Sequence, residues 1–73
     1  MPVVWQMNAQ DTLDNLERTH NLTAAQIASL KGKIEYWASA IGPSKVWTKT
    51  FTEGNVSVEV KAKSNAISSV EIQ

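Results

Sequence analysis

The sequence predicts a small α+β fold: two N-terminal helices, one short and one long, then a three-stranded antiparallel meander with the long helix packed on one sheet face. Three observations carry this. Apolar residues recur with a helical period up to Ile41 and with a period of 2 from Lys45 onward. Gly42-Pro43, a helix-stop pair, stands at the changeover. The 73 residues, 42% of them apolar, are enough for one thin core and hence one domain spanning 1–73.

Residues 1–8 precede the helical pattern and carry Val3, Val4, Trp5 and Met7, an apolar arm or an extra strand. From Ala9 to His20, the residues Ala9, Leu13, Leu16 and His20 share one helical face, with Asn8 placed as N-cap and Asn21 as a left-handed stop. Thr23 and Gln26 then read as a capping box, with Leu22 and Ile27 as its hydrophobic staple. The second helix runs over about 24–41, and Ile27, Leu30, Ile34, Trp37 and Ile41 form its apolar stripe.

Lys45 to Thr52 alternates, with Trp47 and Phe51 on one face and Val46, Thr48, Thr50 and Thr52 on the other. Asn55 to Ala62 sets Val56, Val58, Val60 and Ala62 against Ser57, Glu59 and Lys61. A two-residue turn joins the pair as a hairpin, and Gly54-Asn55 suits a positive φ better than Glu53-Gly54. The third strand, Ala66 to Ile72, has two possible loops. A two-residue Ser64-Asn65 loop opposes Ser69 and Glu71 to the valines. A three-residue Lys63-Ser64-Asn65 loop, with Asn65 left-handed, aligns Val70 and Ile72 with them instead, so parity favours it. The expected core is the helix stripe against Trp47, Phe51, Val56, Val58, Val60, Val70 and Ile72.

Composition removes several classes of function. Seven basic residues balance seven acidic ones, which argues against a chain whose main task is to coat phosphate or an anionic membrane. Without Cys there is neither a disulfide nor a Cys-type zinc site. The longest run of large apolar residues, Val3-Val4-Trp5, is far short of a transmembrane helix. The opening Met-Pro-Val-Val-Trp-Gln has neither the basic region nor the apolar stretch of a signal peptide, so a cytoplasmic setting is expected. The sequons at Asn21-Leu22-Thr23 and Asn55-Val56-Ser57 are chance matches on that reading.

Catalytic chemistry is sparse. His20 is the only histidine, no Ser stands in evident relation to it, and Gly32, Gly42 and Gly54 are too scattered to cradle phosphate. The expectation is no enzyme, no cofactor and no small-molecule substrate. Glu17-Arg18-Thr19-His20 is a Glu-x-x-His pair with Asp14 one turn earlier, but di-metal bundles need the motif twice, so no metal is expected. Ile27-Ala28 followed by Gly32 hints at a helix-turn-helix, yet Lys31 and Lys33 replace its packing residues and no second cap follows.

Two binding readings remain. In the favoured one, Val3, Val4, Trp5, Tyr36, Val46 and Ile67 fall outside the core and contribute to a protein–protein contact, with Trp5 as anchor. The chain would then act as a homo-oligomer, an assembly subunit or a small inhibitor of a larger protein. Its size and type suit bacteriophage or mobile-element proteins, although no motif carries that link. In the competing reading Lys45, Lys49, Lys61 and Lys63 form a lysine-bearing hairpin face for weak nucleic-acid binding. Glu35, Glu53, Glu59 and Glu71 dilute that face, and Arg18 is the only arginine.

Overall fold

In the computed structural model, which describes residues 3–41 and 45–73, the chain forms β1 (Val4–Trp5), α1 (Met7–Asp14), α2 (Leu16–His20), α3 (Ala24–Ala40), β2 (Val46–Glu53), β3 (Val56–Lys63) and β4 (Ala66–Ile72). The strands make one mixed sheet in the order β1-β4-β3-β2. The expected meander is present as β2-β3-β4, all antiparallel. The correction is β1, which adds a fourth strand parallel to β4, with Val4 beside Ala66 and Trp5 beside Ile67. The backbone of the N-terminal segment is held at both ends, by Val4 N–H to Asn65 O at 2.8 Å and Gln6 N–H to Ile67 O at 3.0 Å.

The first helical stretch is interrupted where the sequence pattern reads through. Asn15, at φ −81° and ψ −6°, separates α1 from α2. The apolar face survives the break, since Ala9, Leu13 and Leu16 are all fully buried. Asn8 is not the N-cap: Gln6 takes that place without a side-chain bond, and Asn8 lies inside α1, where Nδ2 donates to Ser68 O at 3.2 Å. Asn21 does close α2 in the left-handed conformation, at φ 58°. The capping box of α3 is complete, with Gln26 N–H donating to Thr23 Oγ1 at 3.1 Å and Thr23 N–H to Gln26 Oε1 at 3.0 Å. Such caps contribute about 1 kcal/mol. The Gly42-Pro43 stop lies outside the described residues.

The β2–β3 turn is Gly54-Asn55, and Glu53 pairs with Val56. Gly54 has φ +60°, and a Cβ there would come within 3.2 Å of Gln26 Nε2 and 3.7 Å of Leu22 Cδ2. The hairpin tip is thus seated on the start of α3, and the positive φ at Gly54 is the conformation that favours glycine there.

The β3–β4 connection differs from expectation. Lys63 pairs with Ala66, so the loop is the two-residue Ser64-Asn65, and the positive φ of 55° falls on Ser64 and not Asn65. Parity is restored within β4: Ala62 faces Ile67 and Lys61 faces Ser69, leaving Ser68 as a bulge. The Ser68 hydroxyl donates to Lys61 O at 2.8 Å across it. Beyond the bulge Val70 faces Val60 and Ile72 faces Val58, so the valine alignment is reached by another route. Upstream of it, Ile67 is swung onto the core face.

Buried residues on β2, β3 and β4 all occupy one side, and α1 and α3 cover that side against β4 and β2 respectively. Ile27, Leu30, Ile34, Trp47, Phe51, Val56, Val58, Val60 and Val70 enter the core as expected, while Trp37 and Ile41 pack at its margin. Ile72 is exposed, and Ala38 completes the α3 stripe. The other sheet face is bare and carries Thr48, Thr50, Thr52, Ser57, Glu59, Lys61, Lys63, Ser69 and Glu71. Among the described residues no helix is long and apolar enough to cross a membrane.

Candidate functional site

The six residues expected to contact protein do not converge. Ile67 is fully buried, so its expected place on the outer face is wrong; the two-residue turn reverses its side. Val3 and Trp5 are half-buried against the core. Trp5 is also engaged within the chain, its Nε1–H donating to Glu35 Oε2 at 2.8 Å. Val4, Tyr36 and Val46 remain exposed, at 55%, 78% and 79%. Val4 and Val46 end one row of the bare sheet face, with Ala66 and Lys63 between them. Three strand spacings, about 14 Å, separate them. Tyr36 lies on α3, on the opposite layer.

The four lysines are likewise divided. Lys61 and Lys63 point from the bare face, paired with Thr48 and Val46. Lys49 lies on the helix side, its Nζ 4.5 Å from the Trp37 ring centroid and 5.9 Å from that of Phe51. Lys45 shares that side, lining a cleft of about 260 Å³ with Trp37, Ala40 and Ile41. The sheet therefore separates the hairpin lysines into two pairs.

What the structure does assemble is the margin between α3 and β2. Because Glu53 and Val56 close a two-residue hairpin, they form a hydrogen-bonded pair, and so do Phe51, Lys49 and Trp47 with their partners. The backbone groups of Val46, Thr48, Thr50 and Thr52 consequently point away from β3. Among the described residues β2 ends the sheet, so this row faces outward over an eight-residue strand. One outward acceptor is covered: Thr52 O receives Lys33 Nζ at 2.9 Å.

Each end of this margin has its own chemistry. At the Glu53 end, Lys33 Nζ meets Glu53 Oε2 at 2.7 Å and Ser29 Oγ donates to the same oxygen at 3.2 Å. The Lys33 contact, assisted by Ser29, holds the Glu53 carboxyl below the ordinary carboxylate value, although partial desolvation opposes it. At the Lys45 end the lining is apolar and cationic. Trp37 Nε1 is buried with no hydrogen-bond partner, whereas Trp47 Nε1–H donates to Ser64 O at 2.9 Å. An unsatisfied buried donor costs about 1–3 kcal/mol. Lys45 and Lys49 take no part in the ion pairs recorded among the described residues, which are Lys31–Asp14 and Lys33–Glu53.

The sequence reading missed this convergence. Its signal was present: Lys49 has the parity of Trp47 and Phe51, which places it among aromatics on the helix side. What alternation cannot give is which strand ends the sheet. A second cleft, between α1, α2 and α3, is lined by Asp14, Glu17, Ala24, Ile27, Ala28 and Lys31, and Lys31 bridges to Asp14 at 2.7 Å. His20 Nδ1 lies 2.8 Å from Thr19 Oγ1 in a hydrogen bond, and His20 lines neither of these two clefts. No group of three His, Cys, Asp or Glu among the described residues is arranged to hold a metal ion. Comparison with protein-family models, curated proteins and solved structures finds no match to this chain.

Proposed function

We propose that this chain is a non-enzymatic protein-binding module acting in the cytoplasm, as a subunit of an assembly or as a small inhibitor seated on a larger protein. The observation that carries the reading is the outward edge of β2, a full-length strand whose free backbone groups lie beside an apolar cleft. Such an edge is a template for a further strand. Val46, at the start of that edge, and Tyr36, on the adjoining helix, add exposed apolar area. Val4 lies about 14 Å away at the other edge of the sheet, outside the cleft beside β2, and Val3, Trp5 and Ile67 are committed to the fold.

Nucleic-acid binding draws less support, because the lysines it needs lie on two faces. The test is an unbiased display selection of peptides and small domains on the immobilised chain, alongside light scattering over a range of concentration. Enriched binders, or self-association, weakened by Val46→Ser or Tyr36→Ser are expected. A strict monomer that enriches nothing would end the reading. Titration with oligonucleotides at two salt concentrations separates the alternative, since counterion release demands a steep salt dependence.

A further inference from the structure

We propose that the groove between β2 and α3 takes an extended acidic segment of another protein as a fifth strand, with an acidic side chain opposite Lys49. The inference rests on the protein-binding reading and specifies its partner.

Geometry defines the occupant first. Outward N–H and C=O groups at Val46, Thr48 and Thr50, with Thr52 N–H, form a row whose spacing matches that of extended backbone. A strand added there would make its hydrogen-bonded pairs with these residues. Its other residues would then form the close, non-hydrogen-bonded pairs with Trp47, Lys49 and Phe51, on the side that faces α3. These three residues ask for an apolar, acidic and apolar side chain in alternation. Lys45 extends the same preference one step further, beside the cleft formed with Trp37, Ala40 and Ile41.

Charge then selects among occupants. The acidic end of the groove is already neutralised, since Glu53 is bonded to Lys33 and Ser29. Lys45 and Lys49 are left at the other end. Lys49 rests over Trp37 and Phe51 in place of a carboxylate. A second copy fits poorly: the antiparallel register that uses Val46, Thr48, Thr50 and Thr52 of both strands is centred on Lys49 and sets it against its own copy. Like charges directly opposed destabilise such a pair. In that full-length register the edge is guarded against itself, while an acidic strand meets no such repulsion.

The experiment uses a capped synthetic peptide of about ten residues, the length that spans β2, alternating Thr with Val and Glu, and a counterpart with Lys for Glu. Binding to the full chain is followed by NMR shift perturbation and calorimetry at low salt. The expected result is binding of the acidic peptide at least about tenfold tighter than the basic one, with shifts along Val46–Thr52 and at the Trp37 indole N–H. Thr50→Pro removes an outward N–H without touching the β2–β3 ladder, a substitution that edge strands tolerate. It should abolish binding while the melting transition and dispersion of the β3 and β4 amides are kept. Lys49→Glu should reverse the preference between the two peptides. Equal binding of both peptides, or acidic binding insensitive to Thr50→Pro, overturns the inference and leaves the protein-binding reading to its own selection test. Failure of both peptides to bind overturns it as well, and binders enriched in that selection would then map elsewhere. Self-association lost on Thr50→Pro would name a second copy as occupant, and a thymidine oligonucleotide that displaces the acidic peptide would name nucleic acid; each overturns the proposal.

Discussion

The two edges of the sheet are finished in opposite ways. On the β1 side the edge strand is two residues long, runs parallel to β4, and is continued at once by α1, which packs on β4. Trp5 reaches from it to Glu35 on one flank of α3. On the β2 side the edge strand is eight residues long and has one helix beside it, with lysines as its main cover. A short covered strand is closed by packing. A long edge strand beside charged side chains is guarded by charge and not by packing. The difference explains why Val3 and Trp5, near the N-terminus, pack against the core, while among the described residues no strand lies along the outward row of β2.

The largest expected effect lies beneath the covered edge. Ile67 pairs with Trp5 and Ala62 and is fully buried. Ile67→Ala should therefore lower unfolding stability by about 2–5 kcal/mol, the usual range for an aliphatic deletion in a core. Val46→Ala at the open edge should stay within about 0.5 kcal/mol. Chemical denaturation of the two variants measures the contrast directly, and similar losses at both sites would remove it.

Next comes the tie that seals β1. Trp5→Phe keeps the ring packed but deletes the indole bond to Glu35, a contact to a charged acceptor in a half-buried position. A loss of about 1.5 kcal/mol is expected. Hydrogen exchange should show it first at Gln6 and Val4, whose amides bond to β4 and its preceding turn. If those amides exchange as in the parent chain, the edge is held by backbone pairing alone.

The third expectation concerns α3, which supports both edges: Glu35 reaches toward β1, while Lys33 and Trp37 reach toward β2. Gly32 sits in its middle, exposed, and a Cβ there would meet nothing within 4 Å. Glycine in a helix interior costs about 1 kcal/mol relative to alanine. Gly32→Ala should therefore raise stability by about 1 kcal/mol and slow exchange at both edges together. A gain confined to one edge would show that the helix does not act as a common support.

These contrasts also mark what could be read from the chain alone. The capping box at Thr23 and Gln26, the left-handed Asn21 and the faces of β2 and β3 follow from local chemistry or from strict alternation, whereas Gly54-Asn55 is one of two turns that the alternation allows. Ile67 shows where alternation stops being informative. A loop of one more residue and a bulge of one residue leave Val70 and Ile72 on the same side, so the two solutions differ only between turn and bulge. Ser68, free to bond Lys61 O across the irregularity, selects the bulge. Likewise Val4–Trp5 is too short to show a period, and a parallel partner 62 residues away leaves no local mark. The open edge became visible only once β1 was placed on β4, which leaves β2 at the other margin.

The smallest effect expected is electrostatic and tests how the Glu53 end of the open edge is held. Lys33 and Ser29 both donate to the Glu53 carboxylate, and the Lys33 bond is the main reason its affinity for a proton is lowered. A folded-state value below the unfolded one means that Glu53 contributes stability above the unfolded value. That contribution is lost as pH falls through the folded one. Stability of the parent chain should thus decline a little more steeply below pH of about 4 than that of Lys33→Met. In Lys33→Met the Glu53 carboxyl resonance should titrate back toward the ordinary carboxylate value. Ser29→Ala should move it in the same direction by less, because its bond is the longer and uncharged one. Lys33→Met also frees Thr52 O, the one outward carbonyl of β2 that a side chain covers among the described residues. If Lys33 only holds the edge shut, its loss should favour any added strand; if it also orders Glu53 against the hairpin tip, exchange at Gly54 and Asn55 should quicken as well. Titration of Glu53 at the ordinary value in the parent chain would mean that neither role is exercised in solution.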